Sequence, residues 1–175
     1  MGKVDISIKD AINHFVIGQI GALIPGGKST AYVKFLLIIN CIEFLGAALS
    51  ESALNTEKES EIRFNDALKK LFPAKYKPYA NESNTRYFYK HLRCGMVHQL
   101  RPLKGIGFTT RDEAKVDGNT HLKIESNGML VLVLEDFYDD LKKAALKYVR
   151  DVEAGRITTR RSGDTHVSVL TPKSK

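Results

Sequence analysis

A chain of 175 residues, 43% hydrophobic and 27% charged, has the size and balance of one globular domain that buries its own core. That balance excludes a disordered or low-complexity chain. The net charge of +7 leans towards anionic partners, although much of the excess sits in Arg156, Arg160, Arg161, Lys173 and Lys175.

The spacing predicts a first helix over 7–23. Ser7 caps it with Asp10 at the capping-box distance, and Ile8, Ala11, Ile12, Phe15 and Ile20 give it an apolar face. Pro25-Gly26-Gly27 ends it. A second helix runs over 30–50, with Ser29 or Thr30 as cap. Its apolar residues wrap nearly all round, which demands the centre of a bundle or a dimer interface. Asn40 and Glu43 interrupt it, so it falls short of the roughly 18 uninterrupted apolar residues of a membrane span. Met1-Gly2-Lys3-Val4-Asp5 has no signal-peptide pattern, and Cys41 and Cys94 read as free thiols. No membrane association and a cytoplasmic location are therefore expected.

Thr56-Glu57-Lys58-Glu59 reads as a capping box opening a third helix, which Phe72-Pro73 stops; residues 74–83 read as a loop. A fourth helix is expected over 84–100, ended by Pro102, with Phe88, Leu92 and Met96 as its core face. The period then changes. Residues 121–126 and 129–134 flank Asn127-Gly128 and predict a hairpin with a two-residue turn, and residues 105–110 suggest one more short strand. A last helix over 136–152 runs from acidic to basic, complementing its dipole. Thr165 to Leu170 alternates like a strand. The expected fold is mainly α: a bundle of about five helices with a β-hairpin inserted before the last long helix. Residues 1–155 form that domain and 156–175 a basic C-terminal tail.

Arg93 and His98, late in the fourth helix, form the pattern Arg-x4-His. The pair suits RNA cleavage without a metal. A histidine takes the 2′-OH proton or protonates the leaving 5′-oxygen, and an arginine holds the scissile phosphate through its planar fork. The spacing alone is common; Arg86–His91 and Arg161–His166 share it. On a straight helix Arg93 and His98 stand roughly 140° apart. His91 and His98 share a side opposite the core face, with Cys94 and Gly95 between them. Gly95 would let another backbone come close, so that side is expected to face a second subunit.

The segment Leu92-Arg93-Cys94-Gly95-Met96-Val97-His98-Gln99, late in a helical bundle, resembles the HEPN superfamily. The resemblance covers about residues 5 to 152 and rests on one short motif, an Arg followed after four to six residues by a His. It implies a metal-independent endoribonuclease of a defence or toxin–antitoxin system, without cofactors and dimerising so that two motifs share one cleft. It also admits a non-catalytic interaction or nucleotide-binding module. Carried over by motif, Arg93 binds the phosphate and His98 is catalytic. Active members often carry Asn, Asp or His directly after the arginine, where Cys94 stands here. The expected partners are RNA, a second copy of the chain, and an antitoxin or regulatory protein. Tyr89, Lys90 and Arg101 are the further RNA-binding candidates.

Other motifs compete. Ala22 to Ser29 fits a relaxed phosphate loop, but such a loop must follow a buried parallel strand, and a helix is expected here. His91, Cys94 and His98 could be imagined around a metal, yet the two histidines lie about 10 Å apart along a helix axis. The basic run Arg156 to Arg161 reads as solvated charge that could touch phosphates.

Overall fold

The computed structural model describes residues 2–26, 28–52, 56–157 and 166–171. Strand β1 (Gly2–Ser7) leads into helix α1, which runs as Ile8–Ala11, a π-helical stretch Ile12–Gln19, and Ile20–Leu23. Ser7 caps α1 as expected: its Oγ accepts the Asp10 N–H at 3.1 Å and donates to the Asp10 carboxylate at 2.7 Å. The Tyr138 hydroxyl lies against Gly21 and reaches the carbonyl oxygens of Val16 at 3.2 Å and Ile17 at 3.0 Å. A side chain reaching into the helical ladder in this way goes with the widened turns.

Helix α2 (Ala31–Leu49) is the structural centre. Phe35, Ile38, Ile39, Ile42 and Leu45 are all fully buried. By length and composition α2 passes as a membrane span, but 56% of that apolar window is buried inside the domain. It crosses helix α3 (Ser60–Lys70) at Gly46, where the backbone of Arg63 occupies the space a side chain would need. The buried Lys34 donates to the Ile24 carbonyl at 3.3 Å, closing the end of α1.

A 3-10 helix, Ala74–Ala80, follows where a loop was expected. Helix α4 comprises a π-helical stretch Tyr89–Cys94 and an α-helical end Gly95–Gln99. It starts a turn later than the sequence suggests, because Asn84 turns the chain through bonds from its side chain and backbone to Arg86 and Tyr87. Phe88, Leu92 and Met96 form its buried face as expected.

The insertion before the last helix is β2 (Ile106–Thr109), α5 (Arg111–Val116) and β3 (Leu130–Val133). β2 and β3 pair in parallel. The expected hairpin survives as a narrow arm: Ile124 bridges Leu130 in the antiparallel sense, and Leu122 and Val131 bond around it. Its turn differs from the one predicted. Gly128 alone has positive φ, and Glu125 accepts the Gly128 N–H, so the turn is a type I turn with a glycine bulge. Helix α6 (Leu134–Glu153) closes the bundle, with the Tyr148 hydroxyl on the Ala48 carbonyl at 3.3 Å. The last described strand, β4 (His166–Thr171), pairs antiparallel with β1. The predicted strand near residue 166 thus forms, while residues 158–165 and 172–175 of the tail lie outside the described residues.

The capping box at Thr56 does not form. Lys58 takes φ 63° and α3 begins at Ser60. Thr110 and Glu113 make a full capping box instead, opening α5.

The α2–α3 crossing generates a direct test. Gly46→Ala is expected to cost about 3 kcal/mol, because backbone rather than a flexible side chain must move. Urea denaturation checks this, and an unchanged midpoint would show that the crossing tolerates a methyl group.

Candidate functional site

Arg93 projects from the π-helical part of α4 towards α2. Its Nε donates to the Glu43 carboxylate at 2.8 Å, and the guanidinium lies 5.7 Å from the centre of the Tyr89 ring. Both members of the ion pair are largely covered, at 16% and 23% side-chain exposure. Burial opposes the charge on Arg93, and the bond to Glu43 more than offsets it, raising its pKa. Glu43 attracted notice in the sequence only as a break in an apolar run. A carboxylate on an otherwise apolar helix needs a partner, and Arg93 is that partner.

Glu43 engages Nε alone. The two terminal nitrogens of Arg93 make no hydrogen bond among the described residues, and the side chain lines a pocket of about 290 Å³ with Asn40, Glu43, Phe44, Ala47 and Arg63. This leaves the outer edge of the fork able to take a phosphate or carboxylate.

His98 lies elsewhere. It is exposed on the last turn of α4 and makes no hydrogen bond among the described residues, so the structure does not join it to Arg93. Of the other candidates, Tyr89 is half-buried beside Arg93 and near Phe64, whereas Lys90 and Arg101 are exposed. Tyr89 and Arg93 are therefore brought together; Lys90, His98 and Arg101 stand outside the pocket.

Gly95 does admit a close backbone, but it is the chain's own. Leu100 ends α4 with φ 55°, and the chain folds back so that a side chain at Gly95 would meet the Arg101 carbonyl at 2.6 Å and Leu103 Cγ at 3.0 Å. The Leu103 N–H binds the His91 carbonyl at 2.7 Å. His91 thus lies buried, on a side covered by residues 101–103 rather than by the second subunit expected. Burial, and then the charges of Lys104 and Lys90, lower its pKa.

The competing motifs find no support. Residues 22–29 begin inside the last turn of helix α1 and not after a strand, and Gly27 lies outside the described residues. Among the described residues no three His, Cys, Asp or Glu side chains are grouped to hold a metal ion. Arg156 pairs with Asp151 at 2.7 Å.

A second polar cluster was not anticipated. The Val133 N–H donates to His121 Nδ1 at 3.0 Å, the Tyr76 hydroxyl lies 2.6 Å from His121 Nε2, and that hydroxyl also reaches Asp140 at 3.0 Å. Lys75 and Lys143 meet the same carboxylate at 2.6 and 3.0 Å. Burial pushes the Asp140 pKa up, yet the two lysines outweigh it and hold it below the ordinary value. Histidine, tyrosine and aspartate here stand far apart in sequence, so no local pattern announces them.

The chain matches no protein-family model, no curated protein and no solved structure, so its functional reading rests on its own residues.

Gly95→Ala is expected to lift residues 101–103 off α4 and to cost about 2 kcal/mol. Amide exchange checks it: the Leu103 N–H should lose protection while the α2 amides keep theirs.

Proposed function

We propose that this domain is a HEPN-like, metal-independent endoribonuclease of a cytoplasmic defence or toxin–antitoxin type system, working as a homodimer. The observation that supports it most is the setting of Arg93: fixed through Nε by Glu43, backed by Tyr89, with its terminal nitrogens open to a pocket. An arginine so held is pre-organised to grip a phosphate, because little side-chain freedom is left to lose on binding.

In this reading Arg93 clamps the scissile phosphate and stabilises the charge that develops on it. The 2′-oxygen attacks phosphorus, the bond to the 5′-oxygen breaks, and a cyclic phosphate and a 5′-hydroxyl result. One His98 accepts the 2′-OH proton and another protonates the 5′-oxygen. Arg93 and His98 diverge within one chain, so the histidines of two copies meet at one phosphate. Tyr89 flanks the clamped nucleotide, and Lys90 and Arg101 hold neighbouring phosphates.

One observation favours a second reading, a non-catalytic HEPN-like interaction module that pairs with an antitoxin or regulatory protein. The charge of Arg93 is already balanced by Glu43, and Cys94 follows it.

Cleavage of RNA in the presence of EDTA separates the two. Arg93→Ala and His98→Ala should each lower the rate at least about 100-fold while far-UV circular dichroism stays unchanged. Wild-type protein that binds RNA but cleaves no single-stranded, hairpin or structured substrate would exclude the nuclease and leave the module.

A further inference from the structure

His121 holds the narrow arm of residues 117–129 against the domain, and it can do so in one protonation state only. A backbone N–H can only donate, so Nδ1, which receives the Val133 N–H at 3.0 Å, carries no proton. The proton of the neutral ring is therefore on Nε2 and is donated to the Tyr76 oxygen at 2.6 Å. The hydroxyl proton of Tyr76 in turn goes to Asp140 at 3.0 Å. Tyr76 is fully buried and Asp140 nearly so. Every donor in this line points the same way, from the edge of β3 into the bundle.

We propose that His121 is an acid-operated latch: a proton on Nδ1 turns the acceptor of the Val133 N–H into a second donor and releases residues 117–129 from β3 while the helical bundle stays folded. The arm is built to part from the rest. Besides His121, among the described residues the arm is tied by backbone bonds at Asp117, Asn119, Leu122, Lys123 and Val131, the bridge from Ile124 to Leu130, a side-chain bond from Arg86 to the Gly128 carbonyl at 2.7 Å, and the packing of Leu122 on the core and of Met129 against Gly107. Leu122, next to the histidine, holds φ 65°, a left-handed conformation that costs a β-carbon-bearing residue energy and is relieved on release.

The charges around the ring set the threshold. The 3-10 helix presents Lys75 and Tyr76; α6 presents Asp136 and Asp140, with Lys143 on the far side of Asp140. The Phe137 ring closes the remaining side. Burial, and then Lys75, disfavour the imidazolium and outweigh the two carboxylates, which lowers the pKa from 6.5 to about 4. A group with a depressed folded pKa contributes its full stabilisation above its free value, and that contribution is lost as pH falls from about 6.5 towards 4. Release is thus weak near neutrality and grows steeply in mild acid.

Amide exchange followed by nuclear magnetic resonance between pH 7 and 4.5, corrected for intrinsic rates, reads the latch directly. The Leu122, Glu125 and Val133 amides should open roughly 50-fold more at pH 4.5, with the α2 and α6 amides unchanged. In His121→Gln, whose amide can accept from Val133 and donate to Tyr76 at any pH, the arm should show no such rise. Equal rises in wild type and variant, no rise in wild type, or core amides opening together with the arm would each overturn the latch. Should the variant fail to fold, the wild-type ring decides: a His121 titration near pH 4 that carries the Val133 amide shift with it supports the proposal, and one near 6.5 refutes it.

Discussion

This domain is arranged around one helix whose buried stripe has to be covered along its length, while Tyr32, Val33 and Asn40 leave its other side open. Helix α2 buries Phe35, Ile38, Ile39, Ile42 and Leu45 completely, and each direction they face must be filled by a different element. On one side α3 comes close enough that Gly46 alone fits beneath Arg63. On another, Phe35 stacks on Phe108 of β2 with ring centres 3.9 Å apart, and Phe137 of α6 lies 6.2 Å away. At roughly 2 kcal/mol for each fully buried aliphatic or aromatic side chain, this one helix carries a large part of the driving force for folding.

Against that background the few polar groups on α2 are informative. Lys34 and Glu43 lie on a helix otherwise given to the core, and each is matched by a specific acceptor or donor: a carbonyl at the end of α1 and the guanidinium of Arg93. A buried polar group without a partner costs more than a hydrogen bond returns, so these matches fix how α1 and α4 sit on α2. The same bond that orients α4 also orients the candidate phosphate clamp. Site geometry and bundle geometry are in this respect one constraint, and the exposed His98, held by no such bond, is free to meet a group that the single chain does not supply.

The sequence made the helices legible wherever one local signal sufficed. Ser7 capped α1, the Phe88–Leu92–Met96 face was buried, and the acidic-to-basic gradient marked α6. It failed where the deciding contact was distant. Gly2–Ser7 pairs with a strand that begins only at residue 166, and the strand 130–133 aligns in parallel with 106–109 as well as bridging its own hairpin mate at Ile124. The Thr-x-x-Glu signal at Thr56 gave way to a turn through Lys58 before α3 begins, and the capping box that does form, at Thr110, was not among the expectations. Of the candidate site residues, Arg93 and Tyr89 come together as neighbours, whereas His98, which the motif spacing pairs with Arg93, stands apart from it. Glu43 was not legible as a partner, because its role depends on α2 passing α4. Gly95 admits a close backbone, as its place on the helix suggests, but that backbone is the chain's own, since a helix pattern says that a backbone can approach but not whose.

The line from Val133 through His121 and Tyr76 to Asp140 shows why a small insertion can be specified so narrowly. A β-arm with few backbone bonds is marginal by itself. Apolar contacts would hold it with little preference for register, because hydrophobic burial is not directional. A row of hydrogen bonds with one allowed direction gives register, because a shift of one residue leaves buried donors facing donors. The same property makes the row sensitive to a proton. A polar network that tells one register from its neighbours must also tell one protonation state from another, so fidelity of the insertion and its response to acid arise from the same three side chains.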